Sequence, residues 1–234
     1  MGVFVLLEVK NLAKSFKKGG VKAVAEASFS LASAKTLGII GASGSGKSTL
    51  LKMVLRLLSV DSGEIYFEEK RIDNLSEKKL RDFRKKTQII FQDPYLSLDP
   101  RMKVAQLLRE PFMISGEDKK TQSVDEKIRA LLDAVGLAER FLARFPHELS
   151  GGECQRVAIA RSISLGPRLL LCDEAVSSLD AVTKIQILNL LLTLQKERAI
   201  SLLFVSHDER AVRHMSDEVR VMKDGILSSA ISLN

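Results

Sequence analysis

The sequence predicts an α/β fold, because short apolar strands, glycine-rich turns and helical segments alternate along most of the chain. The clearest unit lies at residues 37–58, where an apolar run, a glycine-rich loop and a helical pattern follow one another. Two later apolar runs, at 168–172 and 202–205, are continuous, which is typical of strands buried on both faces of a sheet. With 234 residues the chain is long enough for one large domain or two small lobes.

The loop at residues 41–48 has the composition of a phosphate-binding P-loop. Its glycines allow consecutive backbone N–H groups to form a concave nest, and the helix predicted at 49–58 directs its unpaired N–H groups toward the same anion. Lys47 supplies a charge for the outer phosphates, and the Ser48 hydroxyl is placed to ligate Mg²⁺. The alternative is an ordinary glycine-rich turn, but the strand–loop–helix context favours nucleotide binding. The residues predicted to contact the nucleotide here are Gly41, Ala42, Ser43, Gly44, Ser45, Gly46, Lys47, Ser48 and Thr49.

Composition restricts the class of protein without deciding its function. The net charge of +7 suits a polyanion such as ATP, but it suits nucleic acid or an anionic lipid surface equally. No uncharged apolar run is long enough to span a bilayer, and the apolar stretch at 3–7 is too short for a signal peptide. We therefore expect a cytosolic chain that reaches a membrane only through a partner. Cys154 and Cys172 lack metal-ligand spacing and are predicted to be reduced, buried thiols.

The segments on both sides of the P-loop predict strands. Alternating patterns predict strands at 3–9, 28–31 and 64–67, with a lysine–glycine turn at 17–20. Just before that turn, Phe16 could stack on a purine ring, although an ordinary hairpin aromatic is the simpler interpretation.

Helical patterns dominate the middle of the chain. A basic helix is predicted at 76–86, with Ser76 as its N-cap and a solvated surface. The helical pattern at 101–142 is expected to be broken by Pro111 and Gly116. Together these features predict a helical lobe inserted into the α/β core.

A second possible anion site lies immediately before a helix predicted at 155–165. There a serine and two glycines again precede a helix N-terminus, which can attract an anion. The pattern is short, and it also fits a capped helix start with Ser150 as the N-cap. The residues concerned are Ser150, Gly151, Gly152 and Glu153.

Polar side chains follow the predicted core strands. Asp173 and Glu174 end the apolar run at 168–172, and adjacent buried carboxylates are costly unless something engages them. In a P-loop protein, Asp173 would bind the Mg²⁺ shell and Glu174 would face the water that attacks the γ-phosphate. His207 ends the next core strand and would reach the same rim, although a lone histidine is most often structural. Gln92 could ligate Mg²⁺ through its amide oxygen or be a polar turn residue.

The order of these features along the chain resembles that of the ATPase subunits of ABC transporters. The features are the P-loop, Gln92, the stretch 149–155, Asp173–Glu174, the Asp180 loop and His207. The resemblance covers essentially the whole chain, and Leu149-Ser150-Gly151-Gly152 is that family's distinguishing signature. It implies a single nucleotide-binding domain over residues 1–234. The implied fold is a P-loop NTPase (RecA-like) core with an antiparallel β edge lobe and an inserted helical lobe at roughly 93–160.

The resemblance also implies roles and partners. Glu174 would be the base that polarises the attacking water, with Lys47 and His207 as the other catalytic residues and His207 on the γ-phosphate. Gln92 would sense Mg²⁺, and Phe16 falls where the family has an adenine-stacking aromatic. Two ATPase subunits, identical or different, would bind ATP head to tail between one P-loop and the partner's signature. Further implied partners are integral membrane permease subunits at the cytoplasmic face of the inner membrane and, indirectly, an extracytoplasmic binding protein.

Several segments resemble the ATPases of peptide and nickel importers more closely. They are residues 91–94, 97–101, 145–148 and 174–177, and Ala175 is more reminiscent of the nickel-type members. We therefore expect an importer of nickel, metal chelates or peptides. An exporter or lipoprotein-release ATPase is the first alternative. A nucleic-acid-processing ATPase would need a long coiled-coil insertion between 86 and 150, so no nucleic-acid partner is expected. A kinase or GTPase would leave 149–155 and His207 without roles.

Overall fold

A computed structural model describes residues 4–16, 20–117 and 121–231, and within them ten strands form one mixed sheet with the order β5-β4-β1-β2-β10-β9-β3-β8-β7-β6. The strands are β1 (Val5–Phe16), β2 (Val21–Ala32), β3 (Thr36–Ile40), β4 (Ser62–Phe67), β5 (Lys70–Arg71), β6 (Thr87–Ile90), β7 (Leu169–Asp173), β8 (Ser201–Ser206), β9 (Glu218–Lys223) and β10 (Ile226–Leu227). The α-helices are α1 (Lys47–Val54), α2 (Leu80–Lys86), α3 (Pro94–Ser97), α4 (Val104–Ser115), α5 (Thr121–Ala134), α6 (Gly151–Ile163), α7 (Ala181–Arg198) and α8 (Glu209–Met215). Two 3₁₀ turns, Glu139–Ala143 and Pro146–Glu148, precede α6.

Strands β9, β3, β8, β7 and β6 are parallel and form the core of the sheet. Every residue of β7 and β8 is buried, as the continuous apolar runs predict. Ile40 pairs with Ser206, and Asp173 pairs with Val205. The carboxyl ends of β3, β7 and β8 are therefore level, so the loops that follow them share one edge of the sheet.

Alternate side chains of β7 belong to two hydrophobic cores. Leu169 and Leu171 pack with α1 and the antiparallel strands, whereas Leu170 and Cys172 pack with α4 to α7. This alternation follows from the strand's two-residue period and explains why the whole segment is apolar.

The antiparallel strands β1, β2, β4 and β5 form the predicted edge lobe. β1 and β2 each contain 12 residues, so both extend well beyond the predicted strands at 3–9 and 28–31. Val3 and residues 17–19 of the predicted turn lie outside the described residues. Helices α3 to α6 occupy residues 94–163.

Two details of the helix prediction are wrong. Ser76 does not cap α2, because the Ser76 carbonyl accepts the N–H groups of Lys79 and Leu80 in a separate turn and the helix starts at Leu80. Pro111 lies inside α4 and does not break it. An interior proline costs about 3 kcal/mol, but each fully buried apolar side chain contributes about 1.5–3 kcal/mol, so the buried face of α4 offsets the cost. That face consists of Val104, Leu107, Leu108 and Phe112. The helix ends at Gly116, as predicted, with φ of 82°.

Both cysteines are buried free thiols, as predicted. Burial raises the pKa of the Cys154 thiol to about 11 and that of the Cys172 thiol to about 12, so neither forms a thiolate near neutral pH. Among the described residues, no helix combines the length and the apolar character needed to cross a membrane.

Candidate functional site

The glycine-rich loop that follows β3 curves around an open cavity. Gly46 precedes α1 with φ of 108°, and a Cβ there would lie 2.1 Å from the Ala23 carbonyl oxygen, so only glycine fits. Gly44 also has positive φ, but a Cβ there would meet nothing within 4 Å. The loop is thus anchored on its Gly46 side and open on its Gly44 side, which is the shape of an anion nest.

Lys47 fixes a positive charge in this nest. Its side chain is 4% exposed, and Nζ donates hydrogen bonds to the carbonyl oxygens of Gly41 (2.7 Å) and Ala42 (2.8 Å). The same nitrogen lies 3.8 Å from Glu174 Oε1. A buried ammonium with two neutral acceptors and one carboxylate nearby can accept a further anionic partner.

Ser48 and Asp173 meet across the site. Ser48 Oγ donates a hydrogen bond of 2.9 Å to Asp173 Oδ1. Burial raises the pKa of Asp173, and the Ser48 hydrogen bond acts in the opposite direction. Gln92 lines a cavity together with Ser48 and Asp173. This set of hydroxyl, amide and carboxylate oxygens has the donor chemistry that a hard cation prefers. Within the described ranges, no group of three or more His, Cys, Asp or Glu side chains could hold a metal ion.

Glu174 occupies a strained backbone position. Its φ of 50° is left-handed, which costs a non-glycine residue about 1–2 kcal/mol. The surrounding bonds maintain it, since its N–H donates to the Val205 carbonyl at 2.9 Å and its carbonyl accepts the Ser177 hydroxyl at 2.9 Å. The side chain lies between Lys47 and His207, whose Nδ1 is 3.0 Å from Glu174 Oε2. Because a carboxylate only accepts, Nδ1 carries the proton in this arrangement.

Most of these side chains border one cleft of about 810 Å³, and Asp173 lines the neighbouring cavity that shares Ser48 and Gln92 with it. Its predicted lining residues are Ser43, Gly44, Gly46, Lys47, Ser48, Thr49, Gln92, Glu174 and His207. The other loop residues, Gly41, Ala42 and Ser45, line a neighbouring cavity that shares Ser43, Gly44 and His207. The structure therefore brings the P-loop, the strand-end carboxylates and the histidine to one place.

Four further lining residues are absent from the sequence-based prediction: Lys22, Ala23, Asp224 and Gly225. Asp-Gly is a strong turn signal between strands, and it does mark the β9–β10 hairpin. Its approach to the loop depends on a tertiary contact, the hydrogen bond of 3.1 Å from Gly225 N–H to the Ser45 carbonyl. Lys22 and Ala23 lie on β2 and carry no comparable signal.

Two predicted groups do not line this cleft. Phe16 lies 42% exposed at the end of β1. Ser150 caps α6: Glu153 N–H donates to Ser150 Oγ at 3.3 Å, and Ser150 N–H donates to Glu153 Oε2 at 2.8 Å. The bonds that Ser150 N–H and Ser150 Oγ donate to the Glu153 carboxylate lower the pKa of Glu153. Gly152 is required for packing, because a Cβ would lie 2.6 Å from Thr183 Cγ2 on α7.

A glycine nest with a buried lysine, facing carboxylates at the carboxyl edge of a parallel sheet, is typical of P-loop nucleotide hydrolases. The comparisons with known proteins define the family within that class. The sequence model described as "ABC transporter" matches residues 24–177, and the chain belongs to this family.

Named relatives and a solved structure agree with that assignment. The oligopeptide transport ATP-binding protein OppF of Haemophilus influenzae is 42% identical over 229 residues, covering 93% of this chain and 69% of the relative. The glutathione import ATP-binding protein GsiA of Salmonella paratyphi A is 46% identical over 202 residues, covering 86% of this chain but 32% of the relative. The dimeric ATP-binding cassette MJ0796, bound to ADP and Pi, superimposes with a TM-score of 0.87 at 28% identity, covering 98% of this chain and 99% of that one. The predicted family, fold class and ATPase activity are thereby confirmed.

Proposed function

We propose that the chain is the ATP-hydrolysing, energy-coupling subunit of a bacterial ABC importer for peptides, and that all of residues 1–234 act as one nucleotide-binding domain. The observation that carries the proposal is the position of Glu174, held at the P-loop cleft between Lys47 and His207. An ATPase needs a base and a phosphate-binding cation at one point, and these residues supply both.

The loop fits a nucleotide triphosphate. The open side at Gly44 leaves room for phosphate oxygens, and Lys47 Nζ supplies the charge. Ser45 Oγ is buried and has no hydrogen-bond partner among the residues described, so this loop retains polar capacity that an anion could use. In this proposal residues 41–49 hold the phosphates, and Phe16 stacks on the adenine ring.

Ser48, Gln92 and Asp173 would hold Mg²⁺. One carboxylate with neutral oxygens suits an ion that completes its shell with water and phosphate oxygens. When bound, Mg²⁺ would neutralise phosphate charge as the reaction proceeds.

Hydrolysis then follows from the side chains already placed. Water attacks the γ-phosphorus, the bond to the bridging oxygen breaks, and ADP and phosphate leave. Glu174 orients that water and receives its proton. His207 would donate from Nε2–H to the γ-phosphate while Nδ1–H is engaged by Glu174, so both ring nitrogens carry a proton in this step. Lys47 stabilises charge on the phosphate oxygens.

The tip of α6 is proposed to serve a second ATPase subunit. The four residues of this tip do not line the chain's own cleft, yet they form a partly exposed helix N-terminus of the kind that attracts phosphate. They are Ser150, Gly151, Gly152 and Glu153. In a head-to-tail pair, ATP would contact one P-loop and the other chain's tip, whereas ADP would leave the tip unfilled. ATP would thus favour the closed pair by its differential affinity for that state. The solved dimeric cassette supports a paired arrangement.

The relatives' names support peptides as cargo and import as direction. They name oligopeptide transport and glutathione import. Neither names nickel, so the nickel-type branch stays a prediction that these names do not favour, and the exporter alternative is weakened. Permease subunits in the membrane, with this chain attached at the cytoplasmic face and an extracytoplasmic binding protein outside, complete the proposed assembly.

Copurification of the membrane complex followed by ATPase assays tests the proposal. Peptides presented with the binding protein should stimulate MgATP hydrolysis several-fold, and nickel chelates should not. A complex carrying Lys47→Ala is the control, because it should lose ATP binding and hydrolysis. Stimulation by nickel chelates alone would contradict the cargo, and a complex inert toward MgATP would contradict the ATPase role.

A further inference from the structure

We propose that Gln155 is a positioning residue that connects helix α6, whose N-terminus carries the signature, to the Glu174 loop, which is the loop that follows β7. This inference rests on the proposed function. Gln155 is the fifth residue of α6, five positions after the N-cap Ser150. Its side chain is 0% exposed, and Nε2 donates a 2.7 Å hydrogen bond to the carbonyl oxygen of Ala175. Ala175 directly follows Glu174.

The chemistry fixes the orientation of the amide. A carbonyl oxygen can only accept a hydrogen bond, so the atom facing Ala175 must be the nitrogen. The amide oxygen, Oε1, is buried and has no partner among the described residues. A buried amide with an unpaired oxygen is no better for stability than an apolar side chain of similar length. Stability therefore does not account for this glutamine, whereas donation to the Ala175 carbonyl does.

The contact joins two rigid elements at a strained point. Glu174 has left-handed φ, and its N–H is bound to Val205 on β8. The next backbone carbonyl along the chain, that of Ala175, accepts the hydrogen bond from Gln155, which lies in the helical lobe. The bond thus links the backbone of the proposed base to the helix that carries Ser150.

A helix rises 1.5 Å per residue, so Gln155 lies about 7.5 Å along α6 from its tip. Over so short a distance the helix moves as a unit. A shift of α6 when Ser150 meets a partner's nucleotide would be transmitted through Gln155 to the Glu174 loop. Gln155 would thereby link occupancy of the tip to hydrolysis in the chain's own cleft, because misplacing a base by 1 Å is enough to slow a reaction.

Gln155→Met tests this role, because methionine keeps the length of the side chain and removes the donor. The substitution removes one buried acceptor without a partner, Gln155 Oε1, and leaves another without its donor, the Ala175 carbonyl. Because the number of unpaired buried acceptors stays the same, the melting temperature should change little. Gln195→Met is the matched control. Gln195 is also buried and donates an equal 2.7 Å bond, but to Thr36 Oγ1 at the start of β3, the edge of the sheet away from the cleft.

Two measurements on the purified full chain test the role of Gln155. In Gln155→Met, kcat should fall about 10- to 100-fold while the Kd for ATP stays within about twofold. Amide hydrogen exchange without nucleotide should become about tenfold faster at Glu174 and Ser177. Gln195→Met should change neither. A Gln155→Met chain with wild-type kcat and wild-type exchange at these amides overturns the role of Gln155.

The two proposals fail separately. A wild-type chain that binds no ATP and hydrolyses none contradicts the proposed function. The exchange measurement needs no nucleotide, and it still decides whether Gln155 holds the Glu174 loop.

Discussion

At the scale of single residues, the position of Glu174 is the most informative feature of the site. The sequence places it after an apolar strand, but its left-handed backbone and its contact with His207 appear only in the structure. Lys47 lies close enough to hold the carboxylate, and too far, at 3.8 Å, for a tight ion pair. The side chain can therefore exchange this weak contact for a water molecule when phosphate binds Lys47.

Glu174→Gln is predicted to retain ATP binding and to hydrolyse slowly. The amide keeps the shape of the side chain but cannot take a proton, and a general base contributes about 10²- to 10⁴-fold to rate. Steady-state assays and ATP titration measure the two effects. Glu209→Gln, on the exposed first residue of α8, is the control and should leave kcat unchanged. Near wild-type turnover in Glu174→Gln would refute its role as base.

At the scale of elements, local signals identify the helix start at Ser150, misplace the one at Ser76, and misjudge the interior of α4. Ser150 is correctly identified as a possible N-cap, because short polar side chains bind the first N–H groups wherever a helix begins, and Asp208 caps α8 in the same way. Pro111 is misjudged, since the burial that holds α4 together is a tertiary effect. Lys22 in the cleft is missed for the same reason: β2 meets the loop only through the folded sheet.

Ser150→Ala is predicted to destabilise α6 without affecting the chain's own nucleotide site. Loss of an N-cap costs about 1 kcal/mol, which lowers the melting temperature of a chain this long by about 2–4 °C. Thermal unfolding with and without MgATP measures both effects. Ser164→Ala, at the other end of α6, removes a hydroxyl bound to Arg161 and should have a smaller effect. A changed ATP affinity in monomeric Ser150→Ala would mean that the tip contributes to its own chain's cleft.

At the scale of the whole molecule, one chain carries two proposed phosphate-binding surfaces, the P-loop cleft and the tip of α6, and the tip residues do not line the cleft. The level ends of β3, β7 and β8 explain why the sequence predicts the cleft so well: strand ends in a parallel sheet share an edge. The sequence cannot place the tip of α6 relative to that cleft, because its position depends on helix packing, including the approach of Gly152 to Thr183. In the proposed head-to-tail pair, each surface is half of a site that a second ATPase subunit would complete.

The most direct test of the shared site is sedimentation of Glu174→Gln with MgATP, with ADP, and with MgATP in a chain that also carries Ser150→Arg. We expect a stable dimer in the first case and monomers in the other two, while the double variant still binds ATP as a monomer. A dimer that forms equally well with Ser150→Arg would contradict a nucleotide held between one chain's P-loop and its partner's signature.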